Sequence, residues 1–511
     1  MALVVLLSSC LCVFLFLTLT KFFHKVWWTP FRTQYVMGSQ GIKGPSYKFL
    51  HGNTKEIIHM RNESMISPMD LSHHVFPRIQ PFFYTWIKLY GMNFLNWYGP
   101  KAQLVVTEPE LVKEILNDRD GAYPKPKVEG YVKKLLGDGL ASSRGEKWYR
   151  QRKLANHAFH AESLKGMIPA MIASVEMMLE RWKYHEGKEI EVFQEFKVLT
   201  SEVISRTAFG SSYLEGQNIF ELLLKLAVII SRNDYKIRIP GIGKFIKTSD
   251  EIESEKIEQG IRHAILEIIK KREEKVLNGE VDSFGSDFLG LLVKAHRDAD
   301  KNKRTSVDDM IDECKTFYVV GHETSSSLLT WTVLLLAIHT DWQERARKEV
   351  LELFGKQNPN PEGIARLKTM TMIINESLRL YSPVLNIKRK VGREVRLGKF
   401  IIPANMELLI STLTLHHNPR IWGEDVHLFK PERFAEGVAK ATNNNTAAFV
   451  PFGLGPRSCV GLNFATTETK IALSMILQRY KFTLSPAYVH SPVVVLTISP
   501  QHGVQVMLHA L

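Results

Sequence analysis

The chain is short of cysteine. It has four in 511 residues: Cys10, Cys12, Cys314 and Cys459. They are too few and too scattered for a disulfide framework, and no C-x-x-C pair is present to suggest a zinc ribbon or a thioredoxin-type site. A reducing compartment is the simplest reading. Acidic residues are outnumbered, with 53 Asp and Glu against 66 Lys and Arg and a net charge of +13. That excess suits an anionic membrane face or an acidic protein partner. No zinc finger, basic zipper or RNA-binding aromatic signature accompanies it, so nucleic acid is not an expected partner. Internal repeats are missing, and Asn443-Asn444-Asn445 is too short a run to count as low complexity. No G-x-G-x-x-G follows a strand-like segment, which leaves out a flavin or nicotinamide site of that type.

Charge is also missing from the first twenty residues, MALVVLLSSCLCVFLFLTLT. As a helix they would span roughly 30 Å, enough to cross a bilayer core. Lys21, Lys25 and Arg32 follow, with Trp27 and Trp28 where an interfacial aromatic belt would lie. The positive-inside bias puts the bulk of the chain on the cytoplasmic side. A cleaved signal peptide is the alternative, but no basic residue precedes the run and no small-residue cleavage site stands out. The sequons at Asn62 and Asn444 are then expected to stay unmodified.

Three parts are expected: a transmembrane anchor at 1–20, a basic and Gly/Pro hinge linker at 21–45, and one large catalytic domain at 46–511. The overall composition, 45% hydrophobic and 23% charged, fits a sizeable core. Gly44-Pro45, within GIKGPSYKFLHGN at 41–53, reads as a turn or hinge. Residues 95–106 read as a hairpin turning at Gly99-Pro100. Helical spacing covers 161–182 and 251–277. Residues 306–339 read as one helix of roughly 50 Å, buried in the core because Phe317 to Leu336 is mostly uncharged. A second membrane span is the alternative there, at odds with the cost of His322 and Glu323 in lipid. Short strands are expected over 386–410, with a turn at Pro403-Ala404-Asn405, and near SPVVVLTI toward the end. A helix is expected at 461–479. The fold class is mainly α with small β-sheets.

One cysteine stands in unusual surroundings. Residues 452–461, FGLGPRSCVG, place three glycines and a proline around Cys459. Glycines allow backbone conformations and close N–H approaches that other residues forbid. Such N–H groups can hydrogen-bond a sulfur and tune a metal bound to it. The start of the following helix is expected to lower the thiol pKa. The pattern F-x-x-G-x-R-x-C-x-G, at Phe452, Gly455, Arg457, Cys459 and Gly461, arises by chance in on the order of one chain in ten thousand. This segment resembles the haem-binding loop of the cytochrome P450 family, the haem-thiolate monooxygenases. The resemblance implies that Cys459 is the proximal ligand of haem b, with Phe452, Arg457 and Gly461 in contact with the cofactor. A thiolate ligand pushes electron density onto iron and favours O–O cleavage.

Further motifs occur in the family's order. Glu376-Ser-Leu-Arg379 matches E-x-x-R, its two charges sharing a helix face. Pro431-Glu432-Arg433-Phe434 matches the next motif. The resemblance makes Glu376, Arg379 and Arg433 a triad that anchors the cysteine loop. In the long helix, Val320-Gly321-His322-Glu323-Thr324 is similar to the family's acid–threonine segment. The H-E-x-x-H zinc motif fails here, since Ser326 stands at the second ligand position. By resemblance, Glu323 and Thr324 deliver protons and Gly321 leaves room for dioxygen. Val320 departs from the small residue usual in that place. Trp148 and Arg152 match W-x-x-x-R, both able to face a haem propionate. Arg389 and Arg457 complete a set of three arginines.

GIKGPSYKFLHGN and KWYRQRKLANHAFH are similar to plant members of the branch known as clan 72. The resemblance spans nearly the whole chain and implies a hydrophobic substrate, a terpenoid, steroid or related isoprenoid. It also implies dioxygen, NADPH-derived electrons from NADPH-cytochrome P450 reductase, and a single-pass position in the endoplasmic reticulum membrane with the catalytic domain in the cytosol. Lys147, Arg150, Arg152 and Lys153 form a candidate contact for the reductase. Substrate-facing segments are expected near 121–143, 215–250, 313–321, 384–388 and the C-terminal strands. Two alternatives are a haem-thiolate isomerase or lyase that uses no external dioxygen, and a non-catalytic membrane-anchored haem protein. Glu323-Thr324 argues against the first, and the full set of expected residues against the second.

Overall fold

The computed structural model describes residues 2–66, 69–233, 236, 247–300 and 304–511. Residues 234–235 and 237–246, within the expected substrate-facing stretch 215–250, lie outside the described residues. Helix α1 (Ala2–Phe23) is apolar and exposed, long enough with its continuation to cross a membrane. A π-turn at His24–Trp28 leads directly into α2 (Thr29–Ser39). The residues from 21 to 39, assigned from sequence to a linker, are therefore helical. Val26, Pro30 and Met37 are buried where this helix reaches the domain. The Tyr47 hydroxyl donates to the Val26 carbonyl at 2.5 Å, and the Tyr47 ring lies 5.0 Å from that of Trp97. The Gly44-Pro45 turn is tied down as well. A Cβ on Gly44 would lie 1.8 Å from the Leu95 carbonyl oxygen, so only glycine fits against the sheet.

Strands β1 (Phe94–Tyr98) and β2 (Lys101–Val105) form the expected hairpin, with Gly99 at φ +55° in the turn. Helices α3 (Gly145–Ala158), α4 (Ala161–Trp182) and α5 (Val192–Ala208) follow. A long charged helix at Ser249–Leu277 starts with a capping box built by Thr248 and Glu251. At the centre runs α6 (Val307–Ile338). The Ser306 side chain caps it, and Asp308 and Asp309 sit at its positive end. Most of α6 from Met310 to Ala337 is buried. It is a core helix, and packing explains why so many of its residues are apolar.

Helix α7 (Lys368–Leu380) precedes β3 (Asn386–Lys390). The next strands depart from expectation. β4 (Val395–Leu397) and β5 (Phe400–Ile402) form a hairpin of their own, turning at Gly398 with φ +55°. Pro403-Ala404-Asn405 instead carries the chain from that hairpin to β6 (Glu407–Ser411), which lies in another sheet. That sheet has the order β1-β2-β6-β3, with β2 and β6 parallel. The last long helix is α8 (Leu462–Arg479). SPVVVLTI is split between β7 (Pro492–Val494) and β8 (Ile498–Pro500), which pair as a hairpin.

Candidate active site

The cysteine loop is closed by its own backbone. The Cys459 N–H donates to the Phe452 carbonyl at 2.8 Å, and the Ser458 N–H to that of Gly455 at 3.0 Å. Gly453 and Gly455 have φ of +71° and +72°, in the left-handed region. A Cβ on Gly455 would also lie 2.2 Å from the Leu116 carbonyl oxygen, so this glycine has two reasons to be there. Gly461 lies beside the sulfur, where a Cβ would sit 3.9 Å from Sγ.

Cys459 has an exposed side chain, yet burial is the main influence on its thiol and pushes its pKa up. The two facts agree if the sulfur opens onto a recess inside the domain. The Gly461 N–H and Arg152 pull the other way without offsetting burial. The expected lowering by the helix start is thus outweighed by desolvation. A thiolate here calls for a stronger positive partner, which a bound metal ion provides.

The loop is held from behind by buried charge. Arg379 grips Glu376 through two bonds of 2.7 Å, and both side chains are wholly buried. Arg379 Nη1 also donates to the carbonyls of His416 and Val426. The His416 ring then accepts the Val450 N–H at 3.1 Å, and the Val450 carbonyl accepts the Gly453 N–H at the start of the cysteine loop. Burial and Arg379 push His416 down to about 3, which keeps its imidazole neutral and able to accept. Arg433 Nε is 3.6 Å from Glu376, a long contact. Its closer acidic partner is Asp425 at 2.6 Å. The expected triad is therefore a tight pair with a looser third member, and His416 is a link that no motif announced.

Four cations gather beside the loop. Arg152 donates to the Ser458 carbonyl at 2.6 Å, which ties α3 directly to the residue before Cys459. The Arg457 guanidinium lies 4.2 Å from the Trp148 ring centre and donates to the Ser143 carbonyl. Arg389, buried on β3, donates to the Lys388 carbonyl. Lys125, missed from sequence, donates to the Ala141 carbonyl. Burial pushes Arg389 and Arg457 down to about 10. Burial, with repulsion from these two arginines, pushes Lys125 down to about 7. No salt bridge to a carboxylate is formed by any of the four among the described residues, although Asp118 favours the charge of Arg389 from a distance. A crowd of half-desolvated cations that touch mainly carbonyl oxygens suits a ligand bearing carboxylates. Together with a recessed thiol, that donor set fits haem, an iron porphyrin with two propionates.

Helix α6 supplies the other wall. Val320 is 37% exposed in the middle of this core helix, and Thr324, one turn on, is half-buried. Val384 and Leu462 are likewise open, at 41% and 38%. The Thr324 hydroxyl donates to the Val320 carbonyl at 2.8 Å. Glu323 is buried, with Oε1 3.3 Å from His322 Nε2. Burial opposes its charge, but the hydrogen bond and charge of His322, with Lys197 beyond, hold its carboxyl below the usual value. Glu323 therefore pairs with His322 rather than with Thr324. Gly321 has a different neighbour from the one expected. A Cβ there would lie 2.7 Å from Ile204 of α5, so close α5–α6 packing accounts for this glycine.

A family model described as Cytochrome P450 matches residues 74–500. The chain is similar to cytochrome P450 CYP749A22 of Panax ginseng, 63% identical over 99% of this chain and 97% of the relative. It is also similar to cytochrome P450 CYP72A616 of Paris polyphylla, 42% identical over 95% of each. A third relative is the 11-oxo-beta-amyrin 30-oxidase of Glycyrrhiza uralensis, 40% identical over 96% of this chain and 94% of the relative. The family carries haem b on a cysteine thiolate and uses dioxygen with NADPH-derived electrons. With a thiol in a glycine-shaped loop, unpaired cations beside it and an open apolar wall on the core helix, the chain belongs to the cytochrome P450 family and is a monooxygenase.

Proposed function

We propose that this chain inserts one atom of dioxygen into an isoprenoid substrate, a terpenoid or steroid, with electrons from NADPH-cytochrome P450 reductase. Cys459 is the iron ligand. Lys125, Arg152, Arg389 and Arg457 would hold the propionates, with the Arg457 guanidinium 4.2 Å from the Trp148 ring centre. The observation that carries this reading is the cluster of half-desolvated cations beside a recessed thiol, since cations so placed gain from a ligand that bears carboxylates. The relatives support the substrate class, one of them being an amyrin oxidase by name. When bound, haem supplies the oxidising chemistry of a thiolate-ligated iron.

The protein residues would work around that group. The Phe452 carbonyl and the Gly461 N–H fix the position of the sulfur. Val320, open in the middle of the core helix, offers an apolar surface that excludes water. Thr324 Oγ1 donates its proton to the Val320 carbonyl, and its lone pairs remain to accept another. It would act as a relay by taking a proton from the Glu323 side while its own O–H turns from the Val320 carbonyl toward the recess. Glu323, held as a carboxylate by His322, would feed that relay by leaving His322, taking up a proton from water and passing it on. Gly321 serves the packing that places both residues.

The N-terminal helix would anchor the chain in the endoplasmic reticulum membrane with the catalytic domain in the cytosol. Of the basic run on α3, Lys147 is taken by Asp138 and Asp309, and Arg152 by Ser458. Arg150 and Lys153 are exposed, which makes them the members best placed to meet an acidic reductase face.

The test is co-expression with a plant reductase and a panel of terpenoids, with products detected by mass spectrometry. A carbon monoxide difference spectrum on the reduced protein tests the ligand separately. Cys459→Ala is expected to abolish the thiolate-type band, and survival of that band would overturn the assignment.

A further inference from the structure

Two histidine rings meet away from the cysteine loop. His73 lies in the irregular stretch before a short helix at Phe76–Ile79, and His339 joins the end of α6 to a helix at Thr340–Phe354. Their Nε2 atoms are 3.3 Å apart. The His73 ring is held from behind. Its Nδ1 is 3.0 Å from the hydroxyl of Tyr381, which is wholly buried and stacks on Trp331 of α6 with ring centres 4.4 Å apart. The His339 ring rests on Phe429 at 4.9 Å. His73 is 8% exposed and His339 is half-buried, so the pair is reached from solvent on the His339 side. A single N–H shared between the rings is one use of that distance. A metal ion is the other. A tetrahedral ion with Zn–N of about 2.0–2.1 Å holds two nitrogens about 3.3–3.4 Å apart. A ligating histidine also has its other ring nitrogen fixed by a hydrogen bond, as Tyr381 fixes His73.

We propose that His73 and His339 are the two protein ligands of a zinc ion, bound through both Nε2 atoms. No third His, Cys, Asp or Glu completes the pair among the described residues, so water or a small anion takes the remaining two positions. This goes beyond the monooxygenase reading and does not depend on it. Binding needs no net release of protons. Each neutral imidazole carries one proton, and with metal on Nε2 that proton sits on Nδ1. On His73 the Nδ1–H then donates to the Tyr381 oxygen. The surroundings favour the neutral rings. Burial, with repulsion from His339, His490 and Arg379, pushes His73 down to about 3. Burial pushes His339 down as well, although Asp341 pulls the other way. Protons therefore do not compete with the metal at neutral pH. The charge of the ion is met by Asp341 near His339, while Arg379 is already locked to Glu376. The ligands are 266 residues apart in the chain, so the ion would pin the stretch before Phe76 to the end of the core helix.

The test uses the haem-loaded full chain, treated with a chelator and then titrated with Zn²⁺, or with Co²⁺ as its spectroscopic stand-in. The wild type is expected to bind one equivalent, to show the intense visible bands of tetrahedral Co²⁺, and to gain melting temperature as the site fills. His73→Gln and His339→Gln are each expected to remove both the bands and the gain. Tyr381→Phe, which keeps the ring stack and loses the hydroxyl, is expected to weaken affinity about tenfold. Mg²⁺, which prefers oxygen ligands, is expected to have no effect. No binding, binding unchanged in either glutamine variant, or the weak bands of octahedral Co²⁺ alone would each overturn the proposal. A pair that only shares a hydrogen bond would lower the melting temperature of the variants and give the wild type no metal-dependent gain, which also overturns it. Should His73→Gln fail to fold, the half-buried His339→Gln carries the same test.

Discussion

Behind Cys459 the protein buries full charges and satisfies them. Glu376 and Arg379 lock to each other, and Arg379 goes on to bond carbonyls that lead through His416 to the cysteine loop. Across the site, α6 presents Val320 and Thr324, and leaves them partly open. The difference separates positioning from recognition. A network that holds a loop in place is complete before any ligand arrives, so its groups meet one another. A wall that reads a substrate keeps groups in reserve, and pays for them in stability.

The comparison breaks most severely at Arg379. Arg379→Leu strands Glu376 as a buried charge and is expected to cost about 3–5 kcal/mol, with loss of haem retention. Chemical denaturation with haem absorbance as a second readout checks it. Gly321→Ala comes next. The added methyl meets Ile204 and is expected to cost about 1–3 kcal/mol, despite the gain in helix propensity. Combining it with Ile204→Ala should cost less than the sum of the two single changes, measured by a double-mutant cycle.

His416 sharpens the comparison through pH. Its folded pKa of about 3 lies below the ordinary value of 6.5, so the unfolded chain binds more protons between those limits. Its contribution is fully present above pH 6.5 and is lost as pH falls toward 3. His416→Gln should flatten the acid limb of the stability curve. His73, also pushed down to about 3, works in the same window and limits how much one substitution can flatten. Thr324→Val lies at the opposite extreme. It is expected to change stability by less than about 1 kcal/mol, since the hydroxyl serves only its own helix. Product formation should nevertheless fall on the order of a hundredfold, as removal of a proton relay would give. Unfolding curves and turnover measured on one preparation separate the two effects.

Local signals carried far in this chain. The helix at Ala161–Trp182, the long core helix and the Gly99-Pro100 turn each follow from periodicity or turn chemistry within a few residues. The cysteine loop was legible for the same reason, since its glycines, arginine and sulfur are adjacent. Long-range partners were not. Lys125 is a lone lysine between prolines, and only folding sets it beside Arg389 and Arg457. His416 gives no sign in sequence that its ring will receive the Val450 N–H. Gly321 announces that something comes close, but not that Ile204 is what comes. Pro403-Ala404-Asn405 looks like a hairpin turn until sheet membership shows that its flanking strands never pair.

The run from Ala2 to Ser39 has a mechanical consequence. Its exposed apolar half and the half that touches the domain through Val26, Pro30 and Met37 are joined by a π-turn with no break between them, and Tyr47 clamps the junction at Val26. There is no swivel at that point. The tilt of the exposed helix is transmitted to the whole domain, so the direction in which the recess faces is set by the anchor. Removing residues through Phe23 would take away the greasy span and spare the clamp, whereas a cut placed beyond Val26 would dismantle part of the fold.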